Sequence, residues 1–422
     1  MNATASRPVM GYCANVHAGV TWEEAWAQLR RHAPEVRRRV LEAIDPQGAS
    51  SPRPMEVGVW LSAPAARYAV EHPGEVERFA EWLQSEQLTI ASFNGFPAGD
   101  FHAQRVKHGV YRPDWTQPER LAYSLDLAWL AARLGDPIRA VSISTVPLGW
   151  GRPRPPASWW TACAVNLRRA AGELARIEAE TGRWIHLDLE PEPGCALTTS
   201  HDLVALLGEL MVDQHGVPLE THEQTLVKRH VRVCHDICHA AVMFEDQAEA
   251  LGRITAAGWS LGKIQVSAAL AASPRSHQQR HVVVEALSRF AEPRYLHQTV
   301  VRARDGSNHE WFFDDLPDAL NASAIPDQAD WRVHFHVPLD SDGFGPLGTT
   351  FDQIAPCLNA IAAEPLATAP SHADTIDPRP IVEVETYTWS VLPEPPDPER
   401  LAERIAREII CLNQPRPTPM RW

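Results

Sequence analysis

The sequence predicts an α/β protein built as a (β/α)8 TIM barrel with long insertions in its βα loops. Short runs rich in β-branched residues alternate with amphipathic stretches along most of the 422 residues. Strands that alternate with helices form parallel sheets, and about eight such units favour a closed barrel over an open sheet. We expect the strands at residues 10–16, 56–61, 89–93, 140–145, 184–189, 231–233, 263–267, 332–337 and 381–386.

Two of the helices between these strands have recognisable starts. Thr21 with Glu24, and Thr116 with Glu119, have the spacing of a capping box, in which two side chains satisfy each other's backbone amides. Each pair precedes an apolar run with helical periodicity. We therefore predict that a helix begins after each pair.

The chain is expected to form one domain across residues 1–422. The segment at about 295–330 breaks the alternation of strands and helices, and we predict that it is an irregular excursion from one βα loop. A proline-rich stretch leads into a final helix predicted at 399–412, which would cover the barrel from outside.

Charge and composition argue against several classes of protein. The chain has 39 basic and 53 acidic residues, a formal charge of -14, whereas proteins that coat nucleic acid bind phosphates through clustered Lys and Arg. The sequence shows no apolar run long enough to span a bilayer, and its N-terminus lacks the basic and apolar regions of a secretory signal. We expect a cytoplasmic protein without membrane insertion, whose seven cysteines are reduced.

Asp236 and His239 follow the strand predicted at 231–233. A carboxylate followed three residues later by an imidazole, at the exit of a buried strand, offers a divalent metal one hard and one borderline ligand. In the alternative interpretation, Asp236 only caps a helix and His239 is a core residue. Because the chemistry of a parallel barrel collects at the C-terminal ends of its strands, the ligand interpretation predicts further ligands at other strand ends.

Three other strands carry polar side chains on one face. Asp188 and Glu190 alternate with leucines, which predicts either an inward face with Glu190 at the rim or a solvated edge strand. His334 and His336 share a face of their predicted strand and are either metal ligands or a stacked core pair. Glu383 and Glu385 share a face at the end of the last strand, and a carboxylate there is the natural fourth ligand.

Weaker candidates for contact with a substrate belong to other strands and loops. Tyr12 lies in the first strand, Asn94 and His102 follow the third, and Gln265 lies in the seventh. Surface, capping and core roles are commoner for such residues than a role in binding.

The order of these motifs resembles the xylose-isomerase-like TIM-barrel superfamily, which contains sugar isomerases, ketose 3-epimerases and the endonuclease IV group. The stretch CHDICHAAV is especially similar to the strand-six signature of the endonuclease branch. In that branch an Asp stands where this chain has His334, and metal-dependent members usually have His where it has Gln265, which disfavours zinc. The resemblance implies a divalent metal ion (Mn, Mg or Zn) held by Glu190, Asp236, His239, His336 and Glu385.

A closer resemblance, across nearly the whole chain, is to the EboE-type family of metabolite traffic proteins. It rests on GYCANVHAG near the start, FNGFPAGDFHAQRVKHGVYRPDW, SISTVPLGW, LDLEPEPG and YLHQTVVRARDG. The resemblance implies the same barrel superfamily and an association with other proteins of a gene cluster that moves a small-metabolite precursor out of the cytoplasm.

Together these features predict a metal-dependent isomerase- or epimerase-like enzyme acting on a small polyhydroxylated or carbonyl metabolite in a biosynthesis or export pathway. Glu190 and Glu385 would take and return a proton. Substrate contacts would come from Tyr12, Asn94, His102, Gln265 and His334. The alternatives are a non-catalytic metabolite-binding or traffic protein, and an endonuclease IV-like phosphodiesterase.

Overall fold

Eight parallel strands form a closed barrel in the protein. The computed structural model describes residues 11–44, 54–363, 376–377 and 379–414. The barrel order is β1-β13-β7-β6-β5-β4-β3-β2. Its strands are β1 (Gly11–Cys13), β2 (Met55–Trp60), β3 (Leu88–Asn94), β4 (Val141–Thr145), β5 (Ile185–Leu189), β6 (Val231–Asp236), β7 (Leu261–Val266) and β13 (Ile381–Val384). The predicted (β/α)8 barrel is confirmed.

Helices follow most of the barrel strands and form the outer layer. They are α1 (Trp22–Ile44), α2 (Ala63–Glu71), α3 (Pro73–Ser85), α4 (Pro118–Leu134), α5 (Ala157–Thr181), α6 (Ser200–Leu210), α7 (Thr221–His230), α8 (Ile237–Val242), α9 (Gln247–Ala256), α10 (His277–Ser288), α11 (Leu316–Leu320), α12 (Ile354–Ala363) and α13 (Leu401–Asn413). Helix α13 packs against α1 and β1. Within the described ranges, none of these helices combines the length and apolar composition that crossing a membrane requires.

A second sheet is inserted in the chain between β7 and β13. Its five strands lie in the order β10-β9-β11-β8-β12, and each pairs antiparallel with its neighbour. The strands are β8 (Leu270–Ala272), β9 (Thr299–Ala303), β10 (Glu310–Phe313), β11 (Ala329–Val333) and β12 (Gly348–Thr349).

The inserted sheet corrects two predictions. The strand expected at 332–337 is not a barrel strand, because β11 ends at Val333 and pairs with β8 and β9. The segment at 295–330, expected to be irregular, contains β9, β10, α11 and the start of β11. Alternating apolar residues predict a half-buried strand but do not specify the sheet to which it belongs.

Of the two predicted capping boxes, only the first forms. At the start of α1, Glu24 accepts a hydrogen bond from the backbone amide of Thr21, and the Thr21 side chain accepts one from the backbone amide of Glu24. The second prediction is wrong because Asp114 binds the Thr116 hydroxyl and amide, so α4 begins two residues later, at Pro118.

The interior of the barrel contains buried charges below its C-terminal rim. Lys263 on β7 lies 2.6 Å from Glu383 on β13, and both side chains are at most 2% exposed. Ser92 donates to the other Glu383 oxygen at 2.7 Å. A side chain at Gly58 would collide with both Glu383 oxygens, so this glycine makes room for the ion pair.

A second acidic group lies in the same interior. Asp188 on β5 accepts hydrogen bonds from Ser142 at 2.5 Å and from His186 Nδ1 at 2.7 Å, and it is fully buried. The prediction that the Asp188 face of the strand points into the barrel, rather than to solvent, is therefore confirmed.

Candidate functional site

Three acidic side chains converge at the C-terminal ends of three barrel strands. Glu190 follows β5, Asp236 ends β6 and Glu385 follows β13. One carboxylate oxygen from each lies within 4.8 Å of the others. All three residues are buried. The polar groups predicted at separate strand ends therefore meet at one point.

Two imidazole rings complete this cluster around Asp236. His336 Nδ1 donates to the backbone oxygen of Glu385 at 2.9 Å, and His239 Nδ1 donates to that of Pro191 at 2.9 Å. In the neutral rings, each Nε2 therefore carries a lone pair. These Nε2 atoms lie 3.8 Å and 3.9 Å from Asp236 Oδ2. The backbone bonds orient both rings as metal ligands are usually oriented.

The two oxygens of Asp236 have different roles. Oδ1 accepts the His239 amide at 3.0 Å, which caps α8, and the Ser267 hydroxyl at 2.7 Å. Oδ2 has no hydrogen-bond partner among the described residues, and the same holds for Glu190 Oε2 and His336 Nε2. Three buried acceptors thus lie together without a donor, an arrangement that a cation satisfies.

A fourth acceptor comes from His334. Its Nδ1 donates to Gln298 Oε1 at 2.7 Å, because the Gln298 amide nitrogen is committed to Glu192 Oε1 at 2.8 Å and to the Tyr111 hydroxyl. His334 Nε2 is therefore unprotonated in the neutral ring, yet it faces His239 Nε2 at 3.1 Å. Two facing lone pairs repel unless a positive charge lies beside them.

The carboxyl groups of the cluster have shifted proton affinities. Burial, reinforced by Asp236, raises the pKa of Glu190 to about 8. Burial and the neighbouring Glu190 and Asp236 raise the pKa of Glu385 well above its usual value. Burial also acts to raise the pKa of Asp236, but His239, His336 and the hydrogen bonds from Ser267 and the His239 amide lower it overall. Burial lowers the pKa of His239 to about 4, which keeps that ring neutral near pH 7.

Two amide side chains hold Glu385 in place. Asn15 and Asn94 both donate to Glu385 Oε1, at 2.7 Å and 3.0 Å. Asn94, predicted to contact substrate, lines the same cleft as the cluster, and so does His334. His334 and His336 lie just beyond β11 with ring planes inclined by 47°, so they are not a stacked core pair.

The structure does not place three predicted substrate-binding residues on the cleft lining. The Tyr12 hydroxyl is turned toward His17 Nε2, at 3.0 Å. His102 Nε2 donates to the backbone oxygen of Asn15 at 2.8 Å and so holds the backbone of Asn15. Gln265 is buried within the barrel, paired in register with Asp236 and Glu383, and its amide has no partner among the described residues.

Glu192 is a site residue that the sequence reasoning missed. It lines the cleft and accepts hydrogen bonds from the Tyr111 hydroxyl at 2.7 Å and from Gln298 at 2.8 Å. Burial raises its pKa to about 7, against the effect of these two donors. The sequence contained a signal for this residue, because Glu192 follows Glu190 at the same two-residue spacing that separates Glu190 from Asp188.

The cleft has a polar floor and an apolar wall. The floor is formed by Glu190, Glu192, His239, His334, His336 and Glu385. The wall includes Phe96, Phe101, Val110, Tyr295, Leu296 and Tyr387. The strand ends of the barrel and the inserted segment therefore both contribute to one site.

No family model and no curated protein matches the chain. Solved structures do match it. A protein named as the probable 3-DHS dehydratase AsbF of Bacillus anthracis is 11% identical, with 96% of this chain and 99% of that chain covered and a TM-score of 0.43. An L-ribulose 3-epimerase is 14% identical over 69% of this chain and 80% of that chain, with a TM-score of 0.37.

A third solved structure, a family 2 AP endonuclease from Brucella melitensis, is 19% identical to the chain. It covers 55% of this chain and 73% of its own, with a TM-score of 0.31. At these identities and TM-scores the likenesses carry no argument about the chemistry of the site. The barrel is therefore identified by the strand pairing within this chain, and the site by the side chains described above.

Proposed function

We propose that the protein is a metal-dependent isomerase- or epimerase-like enzyme acting on a small polyhydroxylated or carbonyl metabolite. The observation that carries the proposal is the convergence of Glu190, Asp236 and Glu385 within 4.8 Å, with acceptor atoms that lack donors. A cytoplasmic location, membership of the EboE-type family and partner proteins from its gene cluster belong to the same proposal.

The donor set fits a divalent cation of the Mn²⁺ type. Carboxylates suit hard cations, and imidazoles suit borderline ones, so a mixed set favours Mn²⁺ over Mg²⁺. Glu190, Asp236, His239, His336 and Glu385 would hold the ion. When bound, it would polarise a substrate carbonyl and stabilise negative charge that develops on oxygen.

The remaining chemistry falls to the carboxyl groups of the chain. Glu190 and Glu385 approach the cluster from different strands, so they can take a proton from a carbon beside the carbonyl and return it. Asn15 and Asn94 fix the orientation of Glu385 through Oε1. The pKa of about 7 places Glu192, which also lines the cleft, in the range suited to proton transfer near neutral pH.

Metal binding is expected to depend on pH. Because the pKa of Glu190 is about 8, a cation that binds near neutral pH displaces its proton. The affinity therefore falls as the pH falls through the range in which Glu190 and Glu385, whose pKa is also raised, become protonated, about tenfold per unit for each proton displaced. Isothermal titration with Mn²⁺ between pH 6 and pH 8.5 measures this slope. An affinity that stays constant over the range would contradict it.

The enzymatic proposal is tested by hydrogen exchange at carbon. Mn²⁺-loaded protein is incubated in D2O with free aldoses and ketoses, and ¹H NMR follows loss of the signal from the carbon beside the carbonyl. We expect exchange that stops on chelation and falls at least about 100-fold in Glu385→Gln, while the exposed-site control Glu394→Gln exchanges normally.

Two other results would redirect the proposal. Bound metal without exchange on any sugar favours the non-catalytic metabolite-binding protein. Cleavage of abasic-site DNA that chelation abolishes favours the phosphodiesterase. A purified protein that binds no divalent cation overturns the metal site itself.

A further inference from the structure

Part of the apolar wall of the cleft belongs to a hydrophobic cluster separate from the main core. Phe101, Tyr295 and Tyr387 come from three distant parts of the chain and form this cluster with Trp60. Their ring centroids lie 5.0 Å to 5.1 Å apart in all three pairs. We call these three rings the aromatic wall.

The aromatic wall directly adjoins the polar floor. Tyr387 contacts the ring of His336, with centroids 4.8 Å apart. The remaining part of a ligand that reached the acidic cluster would therefore lie against the faces of these aromatic rings. Such faces stabilise an apolar substituent or the C–H face of a ring.

The charges lining the cleft do not suit a phosphorylated ligand. Lys107 is the one lysine or arginine among the described lining residues, and its ammonium lies 2.6 Å from Asp315. The amides at the start of α8 are already bound by Ser267 and Asp236. Phosphate groups are usually held by free Arg or Lys side chains or by open helix N-termini.

Asn15 provides a further indication about the ligand. Its amide nitrogen is committed to Glu385, so Oδ1 is fixed as an acceptor, and this atom has no partner among the described residues. Asn15 lines the cleft and is 2% exposed. An acceptor oriented in this way matches a hydroxyl donor and repels a phosphate oxygen.

We propose that the site takes an uncharged, hydroxylated substrate with an apolar portion that packs on the aromatic wall, and that it rejects phosphorylated substrates. The inference rests on the proposed metal-dependent function and specifies its substrate class. The chelating oxygens would lie at the floor, a hydroxyl would donate to Asn15, and the apolar portion would lie on Phe101, Tyr295 and Tyr387.

Three hydroxamates with one chelating head test this substrate class. Acetohydroxamate, benzohydroxamate and phosphonoacetohydroxamate carry a methyl, a phenyl and an anionic phosphonate group. Their affinities for Mn²⁺-loaded protein are measured by isothermal titration, after Mn²⁺ binding itself has been measured. We expect benzohydroxamate to bind at least about tenfold tighter than acetohydroxamate, and the phosphonate to bind weakest.

Variants connect this preference to the aromatic wall. Phe101→Ala should lose the phenyl preference but retain Mn²⁺ and acetohydroxamate affinity, which also reports that it is folded. Trp129→Ala, which removes a half-buried ring on α4 away from the cleft, should retain the preference. Equal binding of the three hydroxamates, tightest binding of the phosphonate, or a preference that survives in Phe101→Ala overturns the inference. Absence of Mn²⁺ binding overturns the proposed function instead.

Discussion

Asp236→Asn is expected to weaken Mn²⁺ binding by at least about 100-fold, since loss of an outer partner of a ligand already costs 10–100-fold. Asn retains the oxygen that accepts the His239 amide and the Ser267 hydroxyl, so the cap of α8 should persist. It removes the negative charge of Asp236, which belongs to two groups of candidate ligands, and replaces the unpartnered Oδ2 with an amide nitrogen. Isothermal titration of metal-free protein measures the loss.

Asp246→Asn is the matched control for this variant. Asp246 caps α9 by accepting the Glu249 amide at 3.0 Å and belongs to none of the candidate metal groups. We expect wild-type Mn²⁺ affinity in this control. If Asp236→Asn also binds Mn²⁺ like wild type, while circular dichroism shows both variants folded, Asp236 is not a ligand.

Lys263→Met is expected to lower the free energy of unfolding of the metal-free protein by about 3–5 kcal/mol. The Lys263 ammonium is fully buried against Glu383 at 2.6 Å, and Met fills similar volume without charge. Burial alone would lower the pKa of Lys263, but Glu383 and the other nearby acids raise it well above its usual value. The substitution therefore leaves Glu383 buried without a counter-charge. Urea denaturation measures the change.

The double variant Lys263→Met, Glu383→Gln separates lost charge balance from lost packing. Since Gln retains hydrogen bonding but has no charge, the double variant should recover most of the lost stability. Arg176→Met, which breaks an exposed ion-pair network on α5, should leave the free energy of unfolding unchanged. If the double variant is no more stable than Lys263→Met, the ion pair does not explain the effect.

The sequence predicts the part of the site whose residues lie at the C-terminal ends of barrel strands. Glu190, Asp236 and Glu385 all follow or end strands that the sequence identified, and parallel strands end at the same rim. The capping interpretation of Asp236 is confirmed, and it does not exclude the ligand interpretation. One oxygen caps α8 while the other remains free for the cluster.

The inserted sheet marks the limit of the prediction. The residues that hold His334, namely Gln298, Glu192 and Tyr111, are brought together by contacts between segments more than 80 residues apart. Periodicity within one segment contains no information about such pairings, so the antiparallel partners of β11 could not be identified. The hydrogen bond of His102 could not be predicted for the same reason, because its partner Asn15 lies 87 residues earlier in the chain.

The position of His336 links the inserted segment to the barrel. It lies just beyond β11, while Asp236 ends a barrel strand 100 residues earlier and Glu385 follows a barrel strand 49 residues later in the chain. An ion shared by these side chains would act as a cross-link that closes two long loops, and closing a loop removes conformational entropy from the unfolded chain. Metal binding and attachment of the inserted sheet to the barrel would then be coupled, so that a change in one would change the other.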